Sequence, residues 1–486
     1  MCTDGQNLIK KYQSLPVQLK ASFWFLICAF LQKGISVITT PIFTRLLSTA
    51  EYGRYNVFNS WLGIVGIFVS LNLSYGVYGQ GLVKFEEEEK EFSSSLQGLS
   101  ITLVAGWTVI YFLFRDFWND LFSLTTVQML SMLVMIWATA AFGFWAVAQR
   151  VHYKYKMLVF ITLAVSIAKP AAGVFFVIHA QDKVTARILG LALVELIGYS
   201  ALFCAQMLGG KKFYSAKFWT HALLFNLPLI PHYLSQTVLN NADRIMIERM
   251  TGADDAGVYS LAYSVSLIMT LFNTALLQTL SPWIYKKIKA KRIQDIASAA
   301  YITLVLIAAV NILLIAFAPE AVAIFAPETY HDAIWVIPPV AMSVYFMYSY
   351  DLFAKFAFYY EKTRFIMTAS VTGAAVNIVL NYIFIRLFGY QAAGYTTLAC
   401  YIIYDIGHFF FMNKVCDEYC GGIRPYNVKI LLTITVSFML SGFILLFTYK
   451  CVFLRYSIIA GLFILIIYKR KKITCLLRKM IEIRNT

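Results

Sequence analysis

The sequence predicts an all-α integral membrane protein of about fourteen transmembrane helices: two parallel six-helix repeats followed by a C-terminal helix pair. Three observations lead there. Of the 486 residues, 60% are hydrophobic and only 14% charged, against about 25% charged in a soluble domain. The apolar residues fall in runs of about 20, the length that crosses a hydrocarbon core of about 30 Å. Short charged loops separate the runs, and no polar linker of the kind that joins soluble domains appears. Soluble enzymes are excluded. The net charge of +16 does not mark a nucleic-acid binder either, because the basic residues lie in alternate loops, as membrane insertion requires.

Each span follows from its own run. The first, 20–43, is too long for a cleavable signal, has no small-residue cleavage site after it, and carries Lys33. The second is 55–82. The tract EEEEKE at 86–91, read as a solvated face, precedes the third, 92–114. Then come 121–148, 157–179 with Lys169 and Pro170, and 186–208 with Glu195. The seventh, 222–247, contains Pro228 and Pro231, each of which removes a backbone hydrogen bond and so breaks or bends the helix. Spans 256–281 and 297–318 follow, and then 333–358, with Pro338-Pro339, Asp351 and Lys355. The last four are 364–386, 391–412 with Asp405, 428–449 and 452–468. A β-barrel would need alternating segments of about ten residues, which are absent.

Orientation follows from Lys and Arg. With the N-terminus cytoplasmic, 28 basic residues fall on the cytoplasmic side, 9 on the other and 4 inside spans, the whole 41. Both termini are then cytoplasmic. The eight cysteines are scattered; Cys416 and Cys420 form a C-x3-C with no partner pair nearby, which reads as free thiols and no metal site.

The text repeats at an offset of about 200 residues. PIFTRLLSTAEYGRYNVF (41–58) and ADRIMIERMTGADDAGVYSLAY (242–263) each show an Arg (Arg45, Arg244), an acidic turn, and a Gly with Tyr two residues on: Gly53 and Tyr55, Gly257 and Tyr259. QRVHYKYKMLVF from 149 and YYEKTRFIMTAS from 359 echo each other as hinges opening an apolar helix. Six spans separate the copies, an even number, so the halves are parallel repeats about the membrane normal. The expected organisation is a six-helix bundle over 1–210, a second over 211–420, and two extra helices with a basic cytoplasmic tail over 421–486. Such duplication builds a transporter whose bundles rock about a central cavity.

P-x-x-T-R-L-L-S-x-x-E-Y-G-x-Y at Pro41–Tyr55, L-P-L-I-P at 227–231, Asp243-Arg244, Gly257-Val-Tyr259 and Q-R-x-x-x-K-Y at 149–155 resemble the polysaccharide-flippase (Wzx-type) branch of the multidrug/oligosaccharidyl-lipid/polysaccharide (MOP) exporter superfamily. The resemblance covers nearly the whole chain. It implies a MATE/MOP-like fold and a multi-pass flippase of the bacterial inner membrane. Its cargo would be an undecaprenyl-pyrophosphate-linked oligosaccharide for O-antigen, capsule or exopolysaccharide, moved to the outer leaflet by alternating access on an ion gradient. The implied partners are that lipid-linked oligosaccharide, membrane lipid, a proton or sodium counter-ion, and polysaccharide polymerase or export machinery, with no cofactor and no nucleic acid.

Such a cargo needs positive charge for its phosphates. A charge at the bilayer centre costs about 2.5–3.5 kcal/mol by insertion scales, so mid-span charges are functional candidates. Lys33, Lys169 and Lys355 are the cavity cations; for each the alternative is a pair, Lys169 with Glu195 and Lys355 with Asp351 four residues away. Asp405, Glu195 and Asp351 are the ion-coupling candidates. Arg45, Asp243 and Arg244 are expected at the outer mouth as gate or structural residues. A multidrug cation antiporter and a lipid II flippase stand as alternatives on the same fold. The absence of a large outer catalytic loop disfavours a glycosyltransferase or polymerase, and the absence of a G-x-x-x-x-G-K-[ST] loop disfavours ATP hydrolysis.

Overall fold

The computed structural model describes residues 16–468; Cys2, Cys475 and the basic tail lie outside them. The described chain is built from helices, with no strand among its residues. In order they are α1 (Val17–Leu46), α2 (Thr49–Ser70), α3 (Val77–Lys84), α4 (Glu89–Leu113), α5 (Arg115–Phe122), α6 (Thr126–Val151), α7 (Tyr155–His179), α8 (Lys183–Gly210), α9 (Ala216–Asn226) and α10 (Ile230–Met250). Then follow α11 (Ala253–Ser266), α12 (Thr270–Lys289), α13 (Ile296–Ala316), α14 (Ala318–Phe325), α15 (Ile337–Tyr359), α16 (Thr363–Phe388), α17 (Ala392–Tyr419), α18 (Val428–Phe447) and α19 (Val452–Tyr468).

Each of the fourteen expected runs is helical. Nine helical stretches among the described residues are long and apolar enough to cross a membrane, and a tenth is added if the bent pair Glu328–Trp335 and Ile337–Tyr359, at 48°, counts as one span. Fourteen crossings are therefore not established by length and composition. The second run departs most from expectation. It breaks into α2 and α3 where Leu71 and Asn72 turn left-handed, with φ of 48° and 51°. The carbonyls freed there are taken by the fully buried Asn226, whose side-chain amide donates to Leu71 O at 2.9 Å and Asn72 O at 3.0 Å. The seventh run breaks at Leu227–Leu229, a 3-10 turn holding Pro228, as the prolines predict. At the start of α15, Pro338 and Pro339 sit in the first turn, where a missing N–H costs nothing.

The chain divides into two compact units, Met1–Asn241 and Ala242–Thr486, with the boundary inside α10. In the first, α4 runs against the segment that leads out of α8. A Cβ at Gly98 would lie 2.1 Å from Phe213 O, and one at Gly210 would lie 1.9 Å from Lys90 O, so both positions require glycine for the close approach. The acidic tract is more than a solvated face. Glu91 pairs with Lys212 at 2.5 Å, Glu88 with Lys217 at 2.5 Å, and Glu89 with His152 at 2.7 Å. The Glu91 bond raises the Lys212 ammonium above its usual value. In the second unit, α18 packs on α15 through Tyr345 and Phe438, with ring centroids 4.5 Å apart. Just beyond α18, Tyr449 donates to Ile315 O at 2.5 Å. Arg455 of α19, 3% exposed, pairs with Glu320 of α14.

The sequence repeat recurs as repeated local structure. Two residues separate α1 from α2 and two separate α10 from α11. Three separate α6 from α7 and three separate α15 from α16, each triplet with one left-handed residue, Tyr153 (φ 56°) and Glu361 (φ 54°). One pairing is corrected. The counterpart of Arg45 is Arg249, not Arg244: Arg45 and Arg249 each lie in a helix's last turn, eight residues ahead of Gly53 and Gly257.

Replacing Asn226 with alanine strands the Leu71 carbonyl at the break between α2 and α3 and leaves Asn72 O with the Tyr75 N–H alone. Asn226→Ala should lower stability by about 1–3 kcal/mol, read as a fall in the melting temperature of the purified, detergent-solubilised chain. An unchanged melt would show that water takes over the amide's bonds.

Candidate functional site

In the first unit the charges sit on α1, α7 and α8. Lys33 of α1 is exposed and makes no hydrogen bond or ion pair among the described residues. Lys169 of α7 and Glu195 of α8 form an ion pair, with side-chain exposures of 30% and 4%. The carboxylate is thus enclosed while the ammonium keeps an open side. A residue that sequence reasoning passed over lies two turns before Glu195. Arg187 is buried, its guanidinium 3.6 Å from the ring centre of Phe43 and 3.4 Å from that of Tyr55. One turn earlier, Lys183 donates to Leu46 O at 3.0 Å. The start of α8 therefore grips the corner between α1 and α2, and the Pro41–Tyr55 motif supplies the rings. Arg45 in that corner is exposed and donates to Pro41 O at 3.0 Å.

In the second unit the buried polar groups converge on Asp243, 1% exposed. Its carboxylate accepts from Tyr259 of α11 at 2.6 Å, from Asn381 of α16 at 2.5 Å and from Thr397 of α17 at 2.9 Å. Asn377, one turn before Asn381 on the same face, lies 3.2 Å from it through its side-chain oxygen, and Thr396 donates to the Asn381 oxygen. All of these partners are buried. Arg244 turns to Tyr263, its guanidinium 4.5 Å from the ring centre. Asp243 is thus an interior hub of the second unit, held among four helices. The carboxylate is met by one amide N–H and two hydroxyl O–H groups, so a cation or proton arriving at Asp243 would have to displace some of those bonds. Sequence reasoning named Asp243 but missed Asn377, Asn381, Thr396 and Thr397. The available signal was two amides four residues apart in an apolar run, which places both on one helix face.

Elsewhere in this unit Lys355 and Asp351 pair at 2.7 Å, as their spacing requires. Asp405 of α17 lies near Ser349 of α15, and its Oδ1 is buried without a hydrogen bond among the described residues. His408, one turn on, packs against the rings of Tyr404 and Tyr350.

The family described as "Polysaccharide biosynthesis protein" matches residues 18–288, and the MatE family matches 228–383. A Haemophilus influenzae protein named "Lsg locus putative protein 1" is 22% identical over 387 residues, 74% of this chain and 89% of the relative. Among solved structures, lipid II flippase MurJ in an inward closed conformation superposes with a TM-score of 0.68 at 14% identity, covering 92% of this chain and 99% of that one. A single-site mutant of the Vibrio cholerae MATE transporter VcmN gives 0.54 at 13% identity, covering 83% and 97%. The fold is therefore the one these transporters share.

Removing the Lys169 ammonium leaves the Glu195 carboxylate enclosed and alone. Lys169→Met should destabilise the detergent-solubilised chain by about 1–3 kcal/mol, and adding Glu195→Gln should recover most of the loss. Equal melting of all three proteins would mean that the pair carries no structural weight.

Proposed function

Because the chain belongs to the polysaccharide biosynthesis protein family and has the fold of the MOP exporters, we propose that this multi-pass membrane transporter is a flippase for undecaprenyl-pyrophosphate-linked oligosaccharide units. It works in the bacterial inner membrane with both termini cytoplasmic, and it serves O-antigen, capsule or exopolysaccharide assembly alongside a polysaccharide polymerase. The observation that carries this reading is Lys33, a mid-helix cation with no ion-pair partner among the described residues. A charge that costs about 2.5–3.5 kcal/mol at the bilayer centre needs a wet or anionic neighbour, and a pyrophosphate supplies one. Lysine binds phosphate as a point charge, so the grip is strong without fixing the sugar's orientation.

Ion coupling is assigned here to Asp243 rather than to Asp405, Glu195 or Asp351. Glu195 and Asp351 are engaged by lysines, whereas Asp243 is held by hydroxyls and an amide from α11, α16 and α17. Uptake of a cation or proton would replace some of those bonds and shift the helices that make them, which is how a gradient biases two conformations. A lipid II flippase is the second reading, favoured by the MurJ superposition.

In cells lacking the protein, the undecaprenyl-linked saccharide should collect on the cytoplasmic leaflet and clear on re-expression, measured by leaflet-selective labelling. Stalled lipid II in its place would establish the second reading. Lys33→Ala should fail to clear it at wild-type protein level; full clearance would remove Lys33 from the site. Asp243→Asn should cut gradient-driven clearance at least roughly tenfold, a coupling loss of about 1.4 kcal/mol, and retained sensitivity to the sodium or proton gradient would exclude Asp243 as the coupling group.

A further inference from the structure

Two broken helical runs of the first unit meet at a junction that the transport reading does not use. One break separates α2 from α3, the other α9 from α10, and Asn226 ties them through its bonds to Leu71 O and Asn72 O. Asn226 lies well inside the run that starts near Lys217, which pairs with Glu88 of the acidic tract. At 1.5 Å per residue the separation from that charged level is about 14 Å along the helix. Non-helical backbone is tolerated at membrane depth only where it is buried in protein or lines a water-filled space. Here it is not buried: Tyr75 is 66% exposed, and Gly76 beside it is exposed as well. The break therefore opens on water.

Helix α10 supplies the other wall. Seven of the ten residues 232–241 are polar, none carries a fixed charge, and α10 is not one of the nine apolar stretches. Their spacing sorts them into rows. Thr237 and Asn241 face α2, where a Cβ at Gly63 would lie 3.4 Å and 3.6 Å from them. His232, Gln236 and Asn240 form the neighbouring row, each half-buried. Tyr233 packs edge-on against Tyr75, with ring centroids 5.7 Å apart. Its hydroxyl borders Gly76, where φ is +85° and a Cβ would lie 3.3 Å away. A tyrosine pair and a row of amides thus adjoin at one wet junction.

We propose that this junction is the saccharide subsite of the transporter, an inference that rests on the flippase reading. Tyr75 and Tyr233 take the apolar face of a sugar ring, and Gln236 and Asn240 bond its hydroxyls. Without a fixed charge, these residues offer no counter-ion to a phosphate or a cation. Amides both donate and accept, as sugar hydroxyls require. Tyrosine has an apolar body and a polar tip, which suits the mixed faces of a pyranose. The pyrophosphate stays with Lys33, so the two ends of the cargo meet different chemistry.

The test is binding to the purified full chain in detergent, read by native mass spectrometry with two probes. One is the lipid-linked saccharide extracted from cells lacking the protein, the other undecaprenyl pyrophosphate without sugar. The wild type should hold the first roughly tenfold more tightly, the order of one aromatic contact plus one hydrogen bond. Tyr75→Ala combined with Gln236→Leu should erase that preference and leave the affinity for undecaprenyl pyrophosphate unchanged. Tyr75→Phe, which keeps the ring, should retain most of the preference, and Lys33→Ala should weaken both probes alike. A full preference in a double variant that melts like the wild type overturns the subsite. Should the double variant not fold, a full preference in Tyr75→Ala alone, which alters only an exposed side chain, overturns it equally. Equal binding of the two probes by the wild type overturns the saccharide assignment while the flippase reading stands. Binding of neither probe overturns the flippase reading, and this inference with it.

Discussion

No backbone group can stand unpaired in hydrocarbon, and the rest of this structure answers to that constraint. Helices satisfy it along their length, so the informative places are where they stop. Ser48 and Thr125 close the starts of α2 and α6 with capping boxes, each reciprocated by Glu51 or Gln128. Lys183 reaches the end of α1 from another helix. Asn226 does the same for the mid-run break at Leu71 and Asn72. At each of these stops a polar side chain of the same unit meets the freed backbone, and the fold positions those side chains.

The same rule governs charge. Lys169 meets Glu195, Arg455 meets Glu320, and Lys355 meets Asp351. Two groups add other solutions. Asp243 is held by neutral donors, and Arg187 lies between aromatic rings, where cation–π attraction contributes. Lys33 has neither among the described residues, which is why the anionic end of the proposed cargo is assigned to it.

The two halves show how a duplicated frame takes on different chemistry. The Gly-x-Tyr pattern lies in the first turns of a helix in both, after an Arg eight residues earlier. Tyr55 is spent on Arg187, whereas Tyr259 donates to Asp243. The backbone corner is common; the partner is set by what the neighbouring helices happen to carry, Arg187 on α8 and the Asn and Thr residues on α16 and α17. The fold therefore permits ion chemistry in the second unit without requiring it in the first.

The sequence by itself determined the class of the molecule. Apolar runs, charged breaks and proline positions act locally, so helix existence, the 3-10 break at Pro228 and the i,i+4 pair Asp351–Lys355 were all legible in the residues themselves. The repeat was legible too, apart from the misplaced Arg244, because local text carries local turns. The break at Leu71 was not. Nothing in LNLSYG forces a left-handed turn; it persists because Asn226, 155 residues away, is there to satisfy it. The Asp243 hub was hidden for the same reason, since its donors come from residues 259, 381 and 397. Hydrophobic periodicity fixes where a helix lies but says nothing about which polar groups two helices bring within hydrogen-bonding reach. That is decided by packing, and only the tertiary structure supplies it.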